Sequence, residues 1–354
     1  MNITFLIGNG FDLNLGLKTS YTDFLNHYLN IKNKDKDIID FKNKISKDRK
    51  LWSDSELAFG ELTNEFSLIS IDVFEKCYND FGIELSKYLE IEQNKIQIPK
   101  ESRQIIYTIN NIFNSFYSFK YLPQQSTSTI KEMIQKNYGY DHFHFNFINF
   151  NYTNTFDKFI NFMKASNQPL IHKNVNNNSV TDLVYTPIHI HGKINDGMVF
   201  GVDNKEQILN ILYSSNNIFN NYFIKSNAID EIGTLSNITS KKLIDDSQII
   251  CIFGMSFGET DRTWWDYIKN WLTKGKINQL ILYIHEPEMN NCLISSIAQR
   301  KSSIFEKLFN SVWLESDNEL KNRVHFSFNK NLFGNLKSLV TISEEDKEIS
   351  KITL

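Results

Sequence analysis

The chain has 354 residues, of which 41% are hydrophobic and 22% are charged, and its net charge is −3. These values predict an ordinary soluble globular protein with a substantial core. Lysine and arginine are spread along the chain, so no nucleic-acid surface is indicated, and no apolar run approaches the length that spans a membrane. The cysteines Cys77, Cys251 and Cys292 stand singly. Their spacing offers neither a zinc ribbon nor a disulfide framework, and we expect each to be a small buried side chain. Since the N-terminus lacks a signal-peptide pattern, we expect a cytoplasmic protein.

The first predicted element is a strand that ends in a glycine turn, Gly8-Asn9-Gly10, before a predicted helix. Glycines allow a backbone to approach a phosphate, and the start of the helix offers unpaired N–H groups, so the turn indicates a nucleotide ligand. The dehydrogenase fingerprint is incomplete, because Leu13 stands where a third glycine is required. A tight strand-to-helix turn without a ligand is the alternative interpretation.

Helical periodicity dominates the next part of the chain, for example in residues 53–62 and 71–78. After residue 142 the pattern changes to β-branched and aromatic runs, which predict strands at 143–150, 187–191, 249–253, 280–285 and 324–328. The polar run at 173–179 predicts a loop. We therefore predict one α/β domain over residues 1–354, with a Rossmann-like, doubly wound and mostly parallel sheet. Residues 22–137 are predicted to be a mainly helical insertion, and residues 343–354 a charged tail.

Polar clusters follow four of the predicted strands. Because ligands of doubly wound sheets gather beyond the carboxyl ends of the strands, all four could meet in one crevice. Each cluster has a purely structural alternative: a turn for the glycines, a helix cap for the asparagines, and a packed core position for the histidines. The clusters are Gly8-Asn9-Gly10-Phe11-Asp12, Asn151-Tyr152-Thr153-Asn154, His189-Ile190-His191-Gly192 and Gly254-Met255-Ser256-Phe257-Gly258.

These clusters, taken in order, resemble the AbiH family of bacteriophage abortive-infection proteins. The resemblance spans residues 2 to about 267 and includes Trp52 with Glu56, and Gly201-Val202-Asp203. More distantly, the motifs are similar to the sirtuin-like NAD-consuming domains of antiphage systems. The resemblance implies a sirtuin-like fold and a pocket for NAD.

The resemblance also implies roles for individual residues. Asn151 falls on the asparagine that meets the nicotinamide ribose, and His191 falls on the catalytic histidine. The implied cofactor-binding residues are Gly8, Asn9, Gly10, Phe11, Asp12, Thr153, Gly192, Gly254 and Ser256.

Four positions depart from the sirtuin-like pattern. Asp12 stands in place of a small hydroxyl residue, and Thr153 in place of the aspartate after Asn-Tyr. Lys18 replaces a proline, and Met255 replaces a threonine. An acidic side chain at position 12 would repel a pyrophosphate unless it turned toward a ribose hydroxyl.

The function that we predict from these motifs is an antiphage effector that hydrolyses NAD to nicotinamide and ADP-ribose. Cleavage of the nicotinamide–ribose bond passes through an oxocarbenium-like ribose, and it requires a held ribose, a base and a positioned water, without a metal. Asn151 and His191 are the predicted catalytic residues, because an amide can hold ribose hydroxyls or water and a histidine can accept a proton. The missing zinc-module cysteines argue against protein deacylation.

Two other functions stay open. The histidines at 189 and 191 share one strand face and, with Asp203 or Asp261, would hold a metal in a hydrolase or nuclease. Alternatively, the pocket senses NAD or ADP-ribose without turnover. A phage-derived trigger, a partner protein and homo-oligomerisation all remain as routes of activation; no membrane partner is expected.

Overall fold

The computed structural model describes residues 1–65, 71–96, 98, 102–166, 169–287, 289, 293–309, 318–330, 332–333 and 336–337. These residues form a central β-sheet with helices packed on both faces. The strands are β1 (Asn2–Ile7), β2 (His144–Asn149), β3 (Leu170–Lys173), β4 (Ser179–Val184), β5 (Ile188–His189), β6 (Ile249–Phe253), β7 (Gln279–Ile284) and β8 (Val324–Phe328). Each predicted strand is present. Residue 292 and the predicted tail at 343–354 lie outside the described residues.

The order of the strands in the sheet is β3-β4-β2-β1-β6-β7-β8, and β5 also pairs with β2. Within the described residues every pairing is parallel except that of β3 with β4. The prediction of a mostly parallel sheet is therefore confirmed. The chain winds outward from β1 in both directions, through β2 and β4 on one side and through β6, β7 and β8 on the other. Such a reversal opens a crevice at the carboxyl ends of β1 and its neighbours.

The central strands are buried on both faces, as expected of parallel strands that are covered by helices on both sides. All residues of β6 and β7 are buried, and so are residues 3–7 of β1. Alternating side chains point to opposite sides of the sheet. Phe5 therefore joins one hydrophobic cluster and Leu6 another, so that each face is covered by its own layer of helices.

The segment between β1 and β2 is helical in its described residues, and the two helical patterns read from the sequence fall in α4 and α5. Among the described residues, no helix is both long and apolar enough to cross a membrane. The helices are α1 (Gly10–Leu15), α2 (Tyr21–Tyr28), α3 (Lys36–Lys47), α4 (Ser55–Glu65), α5 (Ile71–Asn94), α6 (Ser102–Phe116), α7 (Gln124–Tyr138), α8 (Thr155–Ala165), α9 (Ile211–Ser214), α10 (Asn217–Phe223), α11 (Lys225–Ile232), α12 (Ser236–Asp245), α13 (Arg262–Lys274), α14 (Ile294–Phe309) and α15 (Asn318–Lys321).

Helices α2 to α5 have an aromatic core of their own. Trp52 packs edge-to-face on Phe41 and Phe59, with ring centroids 5.3 and 5.0 Å apart. Phe200 and Phe223, from the chain after β5, join the same cluster. This shared core fixes α4, and with it Glu56, against the segment that follows β5.

The hairpin of β3 and β4 was not predicted from the sequence. The loop predicted at 173–179 is its turn: the Asn177 amide donates to the Asn174 carbonyl over 3.0 Å, and Asn177 has a φ of 62°. The flanking strands were missed because β3 stands at the sheet edge and β4 alternates buried with exposed residues, so that neither presents a continuous apolar run.

Candidate active site

The glycine turn after β1 packs directly against the turn after β6. The Gly8 amide donates to the Phe253 carbonyl and the Gly10 amide to the Gly254 carbonyl, each over 2.9 Å. A Cβ on Gly8 would lie 2.5 Å from the Gly254 oxygen, and a Cβ on Gly10 would lie 2.4 Å from the Gly254 Cα. These glycines are therefore required by the contact of two backbones, and two of their N–H groups are already bonded within the protein.

The other residues of the first turn also have protein partners. The Asn9 amide side chain accepts from the Thr19 hydroxyl over 2.6 Å and donates to the Thr19 carbonyl over 2.9 Å. Phe11 is fully buried, with its ring centroid 5.0 Å from that of Phe156 and 5.3 Å from that of Phe333. Asn9 thus fastens the chain beyond α1, whereas Phe11 belongs to the core.

Asp12 and Thr153, two of the four departures, lie side by side in the protein interior. The Thr153 hydroxyl donates to Asp12 Oδ2 over 2.5 Å, while Asp12 Oδ1 is buried without a hydrogen-bond partner. Burial raises the pKa of the Asp12 carboxyl to about 7, against the opposing effect of the Thr153 hydrogen bond. The carboxyl faces a threonine in the folded chain, where it is 0% exposed.

Asn151 connects the turn after β2 to the glycine turn. Its side-chain amide donates to the Gly8 carbonyl over 3.1 Å, and its backbone amide donates to Asn149 Oδ1 over 3.0 Å. The backbone carbonyl oxygen of Asn151 lies 2.9 Å from His189 Nδ1, so this ring nitrogen is the donor. Asn151 is buried, and its side chain and backbone together make three hydrogen bonds that hold the turn in place.

The two histidines of the third cluster have different partners. His189 Nε2 lies 2.8 Å from Asp157 Oδ2, whereas His191 Nε2 lies 3.4 Å from Asp261 Oδ1. Neither histidine–aspartate pair has a third potential metal ligand beside it among the described residues. Across the part of the chain that the structure describes, no three His, Cys, Asp or Glu side chains are grouped so that they could hold a metal ion.

His191 faces a buried group of charges. Lys225 Nζ lies 3.0 Å from Asp261 Oδ1 and 2.8 Å from Glu56 Oε2, and the Tyr152 hydroxyl donates to Glu56 Oε1 over 2.7 Å. Burial, followed by the nearby Lys225 ammonium, lowers the pKa of His191 to about 3. The imidazole is therefore neutral at physiological pH.

Two more carboxyl groups lie near this group of largely buried side chains, which is called the pocket from here on and consists of His191, Lys225, Asp261, Glu56 and Tyr152. Asp203 Oδ2 accepts from the backbone amide and the hydroxyl of Thr263 over 3.1 and 2.9 Å. Burial raises the pKa of Asp203, and burial together with Glu56 raises the pKa of Asp54. With Glu56 and Asp261 there are four carboxyl groups near the Lys225 ammonium among the described residues, so carboxyl groups outnumber ammonium groups there.

The remaining predicted residues lie on two turns. Gly192 has a φ of 67°, and a Cβ there would lie 1.8 Å from the Gly197 carbonyl oxygen, so a tight loop requires glycine. The backbone of Gly254 is likewise in the left-handed region, with a φ of 72°. Ser256 is exposed to solvent. These turns follow β5 and β6, and Ser256 is accessible from outside.

The sequence analysis did not single out Lys225, and it named Glu56 only as part of the family resemblance. A buried lysine has the same sequence signature as an exposed one on a short helix. For Glu56 a signal existed: it stood with Trp52 among the matched motifs. In the structure, Lys225 and Glu56 lie in one group of charged side chains with Asp261 and His191.

The fold and the site together define an α/β protein with a mostly parallel sheet and a cluster of largely buried charged side chains on the segments that follow its strands. The family model for bacteriophage abortive infection AbiH matches residues 4–283, and the chain belongs to the AbiH family. The matched segment contains every predicted site residue. No match is found among curated proteins.

Proposed function

We propose that this AbiH protein is an abortive-infection effector that hydrolyses NAD to nicotinamide and ADP-ribose. The observation that carries the proposal is the close grouping of His191, Asp261 and Glu56 around Lys225. In doubly wound sheets the point where the winding reverses is the usual place for a dinucleotide. Depletion of NAD would stop phage propagation.

The charge of the pocket suits this reaction. Breaking the nicotinamide–ribose bond creates positive charge on the ribose, and fixed carboxylates in a water-poor site stabilise such charge. Glu56 and Asp261 supply these carboxylates from α4 and from the turn before α13. Asn151 would orient the ribose, and His191 would accept the proton of the attacking water.

The same charge restricts the pose of the ligand. Two N–H groups of the glycine turn are bonded to Phe253 and Gly254, and a pyrophosphate is repelled by carboxylates. The nicotinamide half would therefore face Glu56 and Asp261. The phosphates would lie toward the solvent side, where Ser256 is exposed.

The pair of Asp12 and Thr153 supports the sirtuin-like comparison. In the sirtuin-like pattern a small hydroxyl residue stands at position 12 and an aspartate at position 153, whereas this chain has the two exchanged. The exchanged side chains are hydrogen-bonded over 2.5 Å. A carboxyl–hydroxyl pair therefore joins the first and second turns of this chain, from the same two residue types that the sirtuin-like pattern has at these positions.

A second candidate is favoured by the state of His191. A histidine whose pKa is about 3 is a weak proton acceptor at neutral pH. In this arrangement the pocket would bind NAD or ADP-ribose as a signal without cleaving it.

An assay of nicotinamide release separates these functions. Purified full chain is incubated with NAD, alone and with lysate of phage-infected cells, and nicotinamide is measured by liquid chromatography. We expect His191→Ala and Asn151→Ala to slow release by about a hundredfold or more. The matched control is His325→Ala, because His325 is also buried but bonds to Gln279, away from the pocket; it should release nicotinamide like the unmodified chain.

Each result has a distinct meaning. Full release by both His191→Ala and Asn151→Ala would contradict the catalytic assignment, and loss of release in EDTA would indicate the metal-dependent hydrolase. Calorimetric binding of NAD without release, under both conditions, would favour the sensor. If the chain neither binds NAD nor releases nicotinamide under either condition, the proposal is refuted.

A further inference from the structure

Lys225 is an ammonium ion inside the protein, placed beside the predicted catalytic histidine. The residue is 4% exposed, and its Nζ lies between Glu56 Oε2 at 2.8 Å and Asp261 Oδ1 at 3.0 Å. Burying an ammonium is unfavourable unless carboxylates pair with it. Although burial by itself lowers the pKa of Lys225, Asp261 and Glu56 outweigh burial and raise it, so the ammonium stays charged.

The helix that carries Lys225 does not explain its position. Lys225 is the first residue of α11, and no side chain caps that end of the helix. A cation at a helix N-terminus is opposed by the helix dipole. The lysine is therefore held where it is by Glu56 and Asp261.

Asp261 is shared between the lysine and the histidine. The oxygen that lies 3.0 Å from Lys225 Nζ also lies 3.4 Å from His191 Nε2. A carboxylate paired with an imidazole stabilises the protonated ring, and this is the usual way in which an enzyme makes histidine a stronger base. In this structure the shorter contact belongs to the lysine.

We propose that Lys225 is a positioning residue that decides whether Asp261 and His191 act as a carboxylate–imidazole pair. With Lys225 on Asp261, the imidazole stays neutral and takes up no proton. When the ammonium withdraws, Asp261 pairs with His191, and the ring becomes a proton acceptor. The proposal rests on the proposed function, since it explains how an NAD-cleaving pocket would be kept inactive.

The charges around His191 support this role. Asp261 faces it from the turn before α13, Lys225 from α11, Glu56 from α4 and His189 from β5. After burial, the effect of Lys225 is the largest cause that lowers the pKa of His191, and Glu56 opposes it. Removal of the ammonium leaves two carboxylates to stabilise the protonated ring.

The test is an NMR titration of the histidine Cε1 protons in the full chain, with His191 assigned by its disappearance in His191→Gln. We expect His191 not to titrate between about pH 5 and 8 in the unmodified chain. In Lys225→Met, which removes the charge and keeps a long side chain, its proton affinity should rise by about a hundredfold or more. The His325 signal, from a buried histidine outside the pocket, is the internal control and should stay unchanged.

A second variant guards against loss of folding. Lys225→Met with Glu56→Gln removes one positive and one negative charge together, so the net buried charge is preserved. The higher proton affinity of His191 should persist in this double variant and should disappear when Asp261→Asn is added. A folded double variant in which His191 still does not titrate would overturn the proposal, and so would a rise that survives Asp261→Asn.

The titration needs no NAD, so the two proposals fail separately. If the proton affinity of His191 rises as expected but neither chain releases nicotinamide, the role of Lys225 stands and the proposed reaction is wrong. If the unmodified chain releases nicotinamide and the titration is unchanged by Lys225→Met, the reaction stands and the role of Lys225 is wrong.

Discussion

The buried Asp12 carboxyl predicts an unusual dependence of stability on pH. Its pKa rises from 3.8 to about 7 on folding, mainly through burial. Between these two values the unfolded chain loses its proton while the folded chain keeps it. The stabilising contribution of the protonated carboxyl is therefore complete below about pH 4 and lost as the pH rises toward 7.

The magnitude follows from the size of this shift. Well inside that window each pH unit lowers the free energy of unfolding by about 1.4 kcal/mol, and the slope halves at the folded-state pKa, so about 2 kcal/mol is lost between pH 5 and pH 7 and about 3 kcal/mol by pH 8. Asp12→Asn removes the titration because an amide carries no charge at any of these pH values. The new amide oxygen would keep the bond from the Thr153 hydroxyl.

Urea unfolding at pH 5, 6, 7 and 8 measures this effect. We expect the free energy of unfolding of Asp12→Asn, relative to that of the unmodified chain, to rise by about 3 kcal/mol across the series. Asp35→Asn is the control. Lys76 lowers the pKa of Asp35, so this carboxyl is ionised in both states above pH 5, and the variant should follow the pH dependence of the unmodified chain. Parallel curves for Asp12→Asn and the unmodified chain would refute the assignment of a protonated carboxyl.

Three further substitutions test the packing, each by urea unfolding at constant pH. Gly8→Ala places a Cβ 2.5 Å from the Gly254 carbonyl oxygen and should cost about 3 kcal/mol; a neutral result would contradict the contact between the turns. Gly82→Ala, in α5, meets nothing within 4 Å and should stabilise the protein by up to about 1 kcal/mol. Asp182→Ala removes a buried carboxylate that accepts from the Tyr117 hydroxyl and the Phe143 amide and lies 2.8 Å from His172 Nδ1, and it should cost about 3 kcal/mol; a loss below about 0.5 kcal/mol would show that these three contacts together contribute little.

The sheet was largely predictable because its signals are local. Strands β1, β6 and β7 are short apolar runs, and a strand buried on both faces in a parallel sheet needs that pattern. Each run is followed by a turn residue, so its end was also visible. The edge hairpin β3–β4 was not predictable, since half-exposed strands carry a weak apolar signal.

The site was predictable in part. The sequence indicated which turns would meet at the carboxyl edge, and the structure brings the first and last of them into contact through Gly8 and Gly254. It did not indicate that Asp12 would pair with Thr153 rather than face a ligand. That contact joins residues 141 positions apart, and a side chain's direction at a turn depends on which neighbour packs beside it.

By itself the sequence determined the strands other than the edge hairpin β3–β4, the glycine turns, the helical character of the segment after β1 and the family resemblance, because these are carried by residues close together along the chain. Only the tertiary structure decided which polar groups share the pocket. Lys225 and Glu56 are 169 positions apart, and their pairing depends on the aromatic core that holds α4 against the chain after β5. The charge beside His191, and with it the state of the proposed base, is a consequence of that packing.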